Sequence, residues 1–139
     1  MKKVLILCTG NSCRSIIAEA LVNKTLQTKG IEAFSAGSRP SGRVNPDAKR
    51  VLEEEGAWDE RYHSKTIDEA MKEGPFNLVV TVCDDAKESC PVFPGGVKTI
   101  HVGFEDPDGQ PYDAFVETKE KIKNDLLPII EKELNGGNE

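Results

Sequence analysis

Val4-Leu5-Ile6-Leu7-Cys8-Thr9-Gly10-Asn11-Ser12-Cys13-Arg14-Ser15 joins a strand to a helix through a loop with a cysteine at its start and an arginine at its end. With the aliphatic run Val4 to Leu7 at its centre, Lys2 to Leu7 reads as a buried parallel strand. From Ser15 to about Lys29, Ile16, Ile17, Ala20, Leu21 and Leu26 form a helical apolar stripe that Gly30 ends. A cysteine, five residues and an arginine in this setting have the spacing of an oxyanion trap with a nucleophile at its base. A loop of this length, curled round a tetrahedral anion, aims successive backbone N–H groups inward, and the helix adds the positive end of its dipole. Arg14 closes the ring with a planar fork that grips two oxygens. The same field favours a thiolate at Cys8, a group whose ordinary pKa is ~8.5. Gly10 permits close backbone approach and Asn11 tolerates a left-handed turn. Thr9, Gly10, Asn11, Ser12, Cys13, Arg14 and Ser15 are the expected oxyanion-binding residues. Asn11 and Ser12 are expected to brace the loop by side-chain hydrogen bonds, and Ser15 to assist the Cys8 thiolate.

Working outward, Ile31, Ala33 and Phe34 read as a second strand with Ser35-Ala36-Gly37 as its exit. Asn45 caps and Pro46 opens a helix that runs through Leu52 towards Gly56. A short helix around Ile67 to Lys72 ends at Gly74-Pro75. Leu78 to Val82 is the clearest strand, and Val97 to Val102 is a fourth. The last helix runs from about Tyr112 to Leu134, and Pro128 is expected to kink it. Strands alternating with helices predict a single α/β domain over residues 1–139, a four-stranded parallel sheet flanked by helices. Such sheets bind ligands beyond the carboxyl ends of their strands, where the strand order reverses. The first and third strands then deliver Cys8 and Cys83 to one edge.

The chain has 139 residues and a net charge of −6. That size suits one domain, and the acidity argues against nucleic acid as a partner. A small oxyanion must be captured locally, because the global field opposes it. No apolar run approaches the roughly 20 residues of a membrane span, and the short opening run followed by Arg14 reads as a cytosolic protein rather than a signal peptide. Four cysteines, Cys8, Cys13, Cys83 and Cys90, then call for catalytic, redox or metal roles. Neither pair has the spacing of a zinc knuckle and the two histidines have no paired spacing, so no metal or cofactor is expected.

Cys83-Asp84-Asp85-Ala86-Lys87-Glu88-Ser89-Cys90 follows the third strand. The cysteines are either unrelated or a redox pair. If the intervening residues are helical, the two lie about 10 Å apart along the axis, whereas a disulfide needs Cα atoms within about 7 Å. Bonding them would require the segment to unwind, which its polar composition and the following Pro91, Pro94, Gly95 and Gly96 permit. Unwinding would turn a buried chemical event into an exposed disulfide.

Cys8 to Ser15, Cys83 with Cys90, and Glu105-Asp106-Pro107 together closely resemble the thioredoxin-coupled arsenate reductases, which share the fold of low-molecular-weight protein tyrosine phosphatases. The resemblance covers essentially the whole chain. It implies that Cys8, Arg14, Cys83, Cys90 and Asp106 are catalytic, with arsenate as substrate, thioredoxin as reductant and a monomeric chain. Asp106 rather than Glu105 is the implied acid, and Cys13 is surplus to the relay, a loop-packing residue that incidentally protects Cys8. The related phosphatases share the loop, so phosphate-monoester hydrolysis is the alternative activity; they have no need of the Cys83/Cys90 pair. Their loops usually continue with proline where Ile16 stands, and aromatic residues usually follow their late aspartate-proline, where Asp108-Gly109 stands. Some members bind potassium beside the loop through residues matching Asn11, Glu19 and Ser35 plus an aspartate. Lys65 falls near that last position, and its ammonium is expected to take the cation's place and pair with Glu19. His63, His101 and Trp58 are expected to be structural or surface residues, and Glu53-Glu54-Glu55 a solvated helix end.

Overall fold

Val4, Leu5, Ile6 and Leu7 are all fully excluded from solvent, so the strand carrying Cys8 runs through the middle of the molecule. The computed structural model describes residues 1–84, 93 and 96–136. The first strand, β1 (Lys2–Cys8), pairs in parallel with β2 (Ile31–Gly37) on one side and β3 (Leu78–Thr81) on the other. Outside β3 lies the short β4 (Thr99–His101), giving the order β2-β1-β3-β4 with every pairing parallel. The chain leaves β1 for one neighbour and returns to the other, so the reversal of strand order falls between β1 and β3. Cys8 ends β1 there, and Cys83 lies two residues past the end of β3. Parallel strands cross back through helices, and α/β sheets bind ligands at this carboxyl edge.

The strands' alternation divides the core into two layers. Val4, Ile6 and Cys8 face the larger one with α1 (Arg14–Leu26), α2 (Pro46–Glu55) and the C-terminal helices. Leu5, Leu7 and Val79 face the other, where α3 (Ile67–Met71) supplies Ala70, and Phe34, Phe76 and Phe93 pack edge to face. Each buried Leu or Ile contributes about 1.5–3 kcal/mol, so the doubly covered β1 is the best-anchored element. That rigidity fixes where Cys8 sits.

Local chemistry sets the ends of the elements. Asn45 accepts from the Asp47 N–H at 2.8 Å with Pro46 in the first turn, and Gly56 closes α2 in a left-handed conformation (φ 76°). Two expectations are corrected. Ser35-Ala36-Gly37 is not an exit but part of β2, paired with Ile6, Leu7 and Cys8. The last helix changes its winding just before Pro128. The chain passes from α4 (Tyr112–Lys121) through one wide turn at Ile122–Leu126 into α5 (Leu127–Asn135), where Pro128 occupies a first-turn position that needs no N–H. The acidic run is not simply solvated. Glu55 pairs with Lys119 at 3.0 Å and Lys123 at 2.7 Å, which holds its carboxyl down near 2, and Glu54 accepts from the Tyr112 hydroxyl, so these residues tie α2 to the last helix. No helix among the described residues is long and apolar enough to cross a membrane.

Candidate active site

The loop from Cys8 to Arg14 is held open by the segment that follows β2. Ser38 N donates to Cys8 O at 3.3 Å, Arg39 N to Thr9 O at 2.9 Å, Ser41 N to Gly10 O at 2.9 Å and Asn45 N to Ser12 O at 3.0 Å. A carbonyl tied outward leaves its neighbouring N–H groups facing the loop's interior, the arrangement an anion requires. The helix adds to it, because no side chain caps the N-terminus of α1 and its first amides remain directed at the loop.

Asn11 is the brace. It is fully buried in a left-handed conformation (φ 48°), donates from Nδ2 to Ser15 Oγ at 2.7 Å and Ser35 Oγ at 3.0 Å, and accepts at Oδ1 from Lys65 N at 2.9 Å. Ser12 contributes through its carbonyl; its hydroxyl meets the Cys13 sulfur at 3.6 Å instead of bracing the loop. Ser15 is engaged by Asn11. Cys8 and Cys13 are free thiols, both buried. Burial pushes the Cys13 thiol up to about 12, so it stays protonated and packs in the core.

Arg14 is 2 % exposed. Its Nη1 donates to Phe104 O at 3.1 Å and its Nη2 lies 3.4 Å from Asp106 Oδ2, which brings the loop after β4 onto the mouth of the trap. Asp106 is half exposed and is fixed by the Asp108 N–H at 3.0 Å. Of the two acids considered for proton donation, Asp106 therefore meets Arg14 directly. Leu7 and Thr81 are register partners, and Val82 N donates to Leu7 O at 2.9 Å, so Cys83 leaves the sheet beside the Cys8 loop. Cys83 is fully buried and disulfide-bonded. Cys90 and the segment expected to unwind lie outside the described residues.

A family profile described as low molecular weight phosphotyrosine protein phosphatase matches residues 3–135. The chain belongs to this phosphatase family. Within it, the chain is 38% identical to "Arsenate reductase 2" of Staphylococcus epidermidis over 122 residues, 88% of this chain and 91% of that protein. Among solved structures, "An arsenate reductase in the phosphate binding state" is 31% identical with TM-score 0.77, covering 95% of this chain and 98% of that one. The low molecular weight protein tyrosine phosphatase from T. tengcongensis is 26% identical with TM-score 0.78, covering 95% and 99%. The single parallel α/β domain with its four-stranded sheet is the fold these neighbours share.

In this family member the residues that sequence reasoning missed are those that shape the loop from behind. Gly37, register partner of Cys8, lies so close that a Cβ there would stand 2.5 Å from Thr9 O. The 38–45 segment also escaped notice, since hydrogen bonds made by backbone amides leave no compositional trace. His63 bonds Arg61 O and Glu69, His101 bonds Thr81 Oγ1, and Trp58 packs edge-on against Tyr62.

Behind Asn11 the network ends in a buried carboxyl group. Ser35 Oγ donates to Glu19 Oε1 at 2.6 Å, and Glu19 is 5% exposed. Burial pushes its carboxyl up to about 7, against the opposing pulls of Lys65, the Ser35 hydrogen bond, Arg61 and His63. The Lys65 ammonium is the strongest charge acting on Glu19 but does not close the expected contact pair; it donates to His63 O at 2.9 Å. Between about pH 4.5 and 7 the unfolded chain has released the Glu19 proton while the folded chain still holds it. Stability from this group therefore falls as pH rises through that window and levels off above it, a change of roughly 3 kcal/mol. Glu19→Gln is expected to gain stability relative to the parent from pH 5 to pH 8 in urea melts. A pH-independent difference would mean that Glu19 is already ionised in the fold at pH 5.

Proposed function

We propose that this protein reduces arsenate to arsenite through Cys8, Cys83 and Cys90, with thioredoxin as the final reductant. The observation that carries this reading is the delivery of two cysteines to one sheet edge by adjacent parallel strands. Its relatives named arsenate reductase support the substrate. The Cys8 thiolate attacks arsenic held by the loop amides and Arg14, and an arsenate oxygen departs as water with a proton from Asp106. Cys83 as a thiolate then attacks the Cys8 sulfur. The sulfur–arsenic bond breaks with its electron pair on arsenic, which leaves as arsenite, and a Cys8–Cys83 disulfide forms. Cys90 attacks Cys83 and frees Cys8, and the resulting Cys83–Cys90 disulfide takes two electrons from thioredoxin. The cycle needs free thiols at its start, which suits a reducing cytoplasm.

The test is arsenate-dependent NADPH oxidation with thioredoxin and thioredoxin reductase, comparing the parent with Cys8→Ser, Cys83→Ser and Cys90→Ser. Turnover in the parent and its loss in all three variants is the expected result. No turnover in the parent, with ester hydrolysis that survives Cys83→Ser and Cys90→Ser, would replace it with the second reading, a phosphatase. That reading is favoured by Asp106 standing against Arg14, where an ester's leaving group would need an acid.

The potassium site that some relatives use does not fit these residues, because the buried Lys65 ammonium already acts on Glu19. Exchange of sodium for potassium is expected to leave turnover and Tm unchanged; a clear gain in either would show that the cation still binds.

A further inference from the structure

The chain has five arginines. Arg14, Arg50 and Arg61 each lie within ion-pair distance of a carboxylate. Arg39 and Arg43 have no such partner among the described residues, although acidic side chains outnumber basic ones 24 to 18. Both are exposed, and both belong to the segment bonded to the carbonyls of the oxyanion loop. Arg39 is held through its own N–H on Thr9 O. Arg43 is held one step away, its carbonyl accepting from Ser41 Oγ at 2.7 Å while Ser41 N bonds Gly10 O. Asn45 Nδ2, two residues on, reaches Asp108 Oδ1 at 2.7 Å, so this segment meets the Asp106 loop at the mouth.

We propose that Arg39 and Arg43 form an outer cationic rim that collects the substrate oxyanion and passes it to the loop and Arg14. The protein's overall charge of −6 repels a dianion, and Asp106 and Asp108 lie on the loop after β4, which meets the segment at Asn45. A dianion approaching across that loop meets Asp106, which Arg14 offsets, and Asp108. Approach across the 38–45 segment meets two guanidinium groups that, among the described residues, no carboxylate pairs with. Within a Debye length of about 8 Å, such a pair raises the local anion concentration and the rate of encounter. Their fixed backbones make this a built feature of the entrance. Two positive charges also favour a multiply charged oxyanion over a singly charged or neutral one, so the rim acts on specificity as well as rate.

The naming of arsenate rests on the proposed function, but the rim itself is testable without it. The reduced protein is alkylated with iodoacetate, an anion, and with iodoacetamide, its neutral counterpart, and modification at Cys8 is read by peptide mass spectrometry. Both reagents attack the same thiolate, so any change in thiol ionisation cancels in the ratio of rates and the ratio reports the local potential. In the Arg39→Gln/Arg43→Gln double variant the iodoacetate-to-iodoacetamide ratio is expected to fall ~10-fold at low salt, and Arg39→Lys/Arg43→Lys to restore most of it. At 1 M salt, where the Debye length is about 3 Å, the parent and the double variant converge. In turnover the same double variant raises KM for arsenate far more than it lowers kcat. A ratio that does not move overturns the proposal; if KM for thioredoxin rises instead, the arginines belong to docking of the reductant. Absence of arsenate turnover with a shifted alkylation ratio would overturn the reductase reading and leave the rim standing.

Discussion

Gly37→Ala is expected to cost ~10²-fold in turnover of any loop-bound oxyanion although it alters no candidate catalytic side chain. The added methyl would stand 2.5 Å from Thr9 O, 3.0 Å from Asn11 Cβ and 3.1 Å from Asn11 N. Two of these three are backbone atoms, so no flexible side chain can swing aside to make room. Thr9 O is also fixed from outside by Arg39 N, and Asn11 by three hydrogen bonds and its left-handed conformation. The loop must shift as a unit, and misplacement near 1 Å of the groups that position a reacting atom costs about 10²-fold. Overpacking of this kind also costs about 1–3 kcal/mol of stability. Turnover, the affinity for inorganic phosphate as a competing anion, and the urea midpoint are the three measurements. Parent-like phosphate affinity would show that the loop tolerates the displacement and that Gly37 is only a strand residue.

Cys83→Ser is expected to separate the two chemistries that the loop supports. Under the relay, thioredoxin-driven arsenate turnover falls by at least about 10³-fold, because the Cys8–arsenic adduct has no thiolate to resolve it. Cys13 is no substitute. It is 3% exposed and burial pushes its thiol up to about 12, so its thiolate population at neutral pH is negligible. Hydrolysis of a simple aryl phosphate needs only Cys8, Arg14, the loop amides and an acid, and it is expected to change by no more than about twofold. Each activity is the other's folding control. Equal loss of both would mean that Cys83 serves the fold, whereas arsenate turnover that persists would remove it from the relay.

The loop was legible because its requirement is local. Anion capture by backbone amides needs a fixed number of residues between nucleophile and arginine, a residue that tolerates a left-handed turn and a helix start. Cys8, Asn11 and Arg14 carry those marks in order. The same holds for α2, whose Asn45-Pro46 start and Gly56 stop are properties of neighbouring residues. The end of β2 was less legible. Ser35, Ala36 and Gly37 have small side chains and weak strand preference, and they are held in the sheet by pairing with Ile6, Leu7 and Cys8. At Pro128 the disturbance of the helix was legible but its form was not, because the wide turn at Ile122–Leu126 sets where the proline falls.

The sequence alone determined the class of fold and the presence of a second cysteine pair, and it marked Cys8 and Arg14 as the candidate nucleophile and anion-gripping arginine, since each rests on periodicity or on residues adjacent in the chain. Tertiary structure alone decided the strand order that brings Cys83 beside Cys8, the 38–45 segment that ties the loop carbonyls outward, and the absence of space beside Gly37. It also decided that Glu19 is buried on the Ser35–Asn11 network and that Asp106 meets Arg14. These are contacts between residues distant in sequence, set by hydrophobic packing of the two core layers, and no local pattern of residue types encodes such distances.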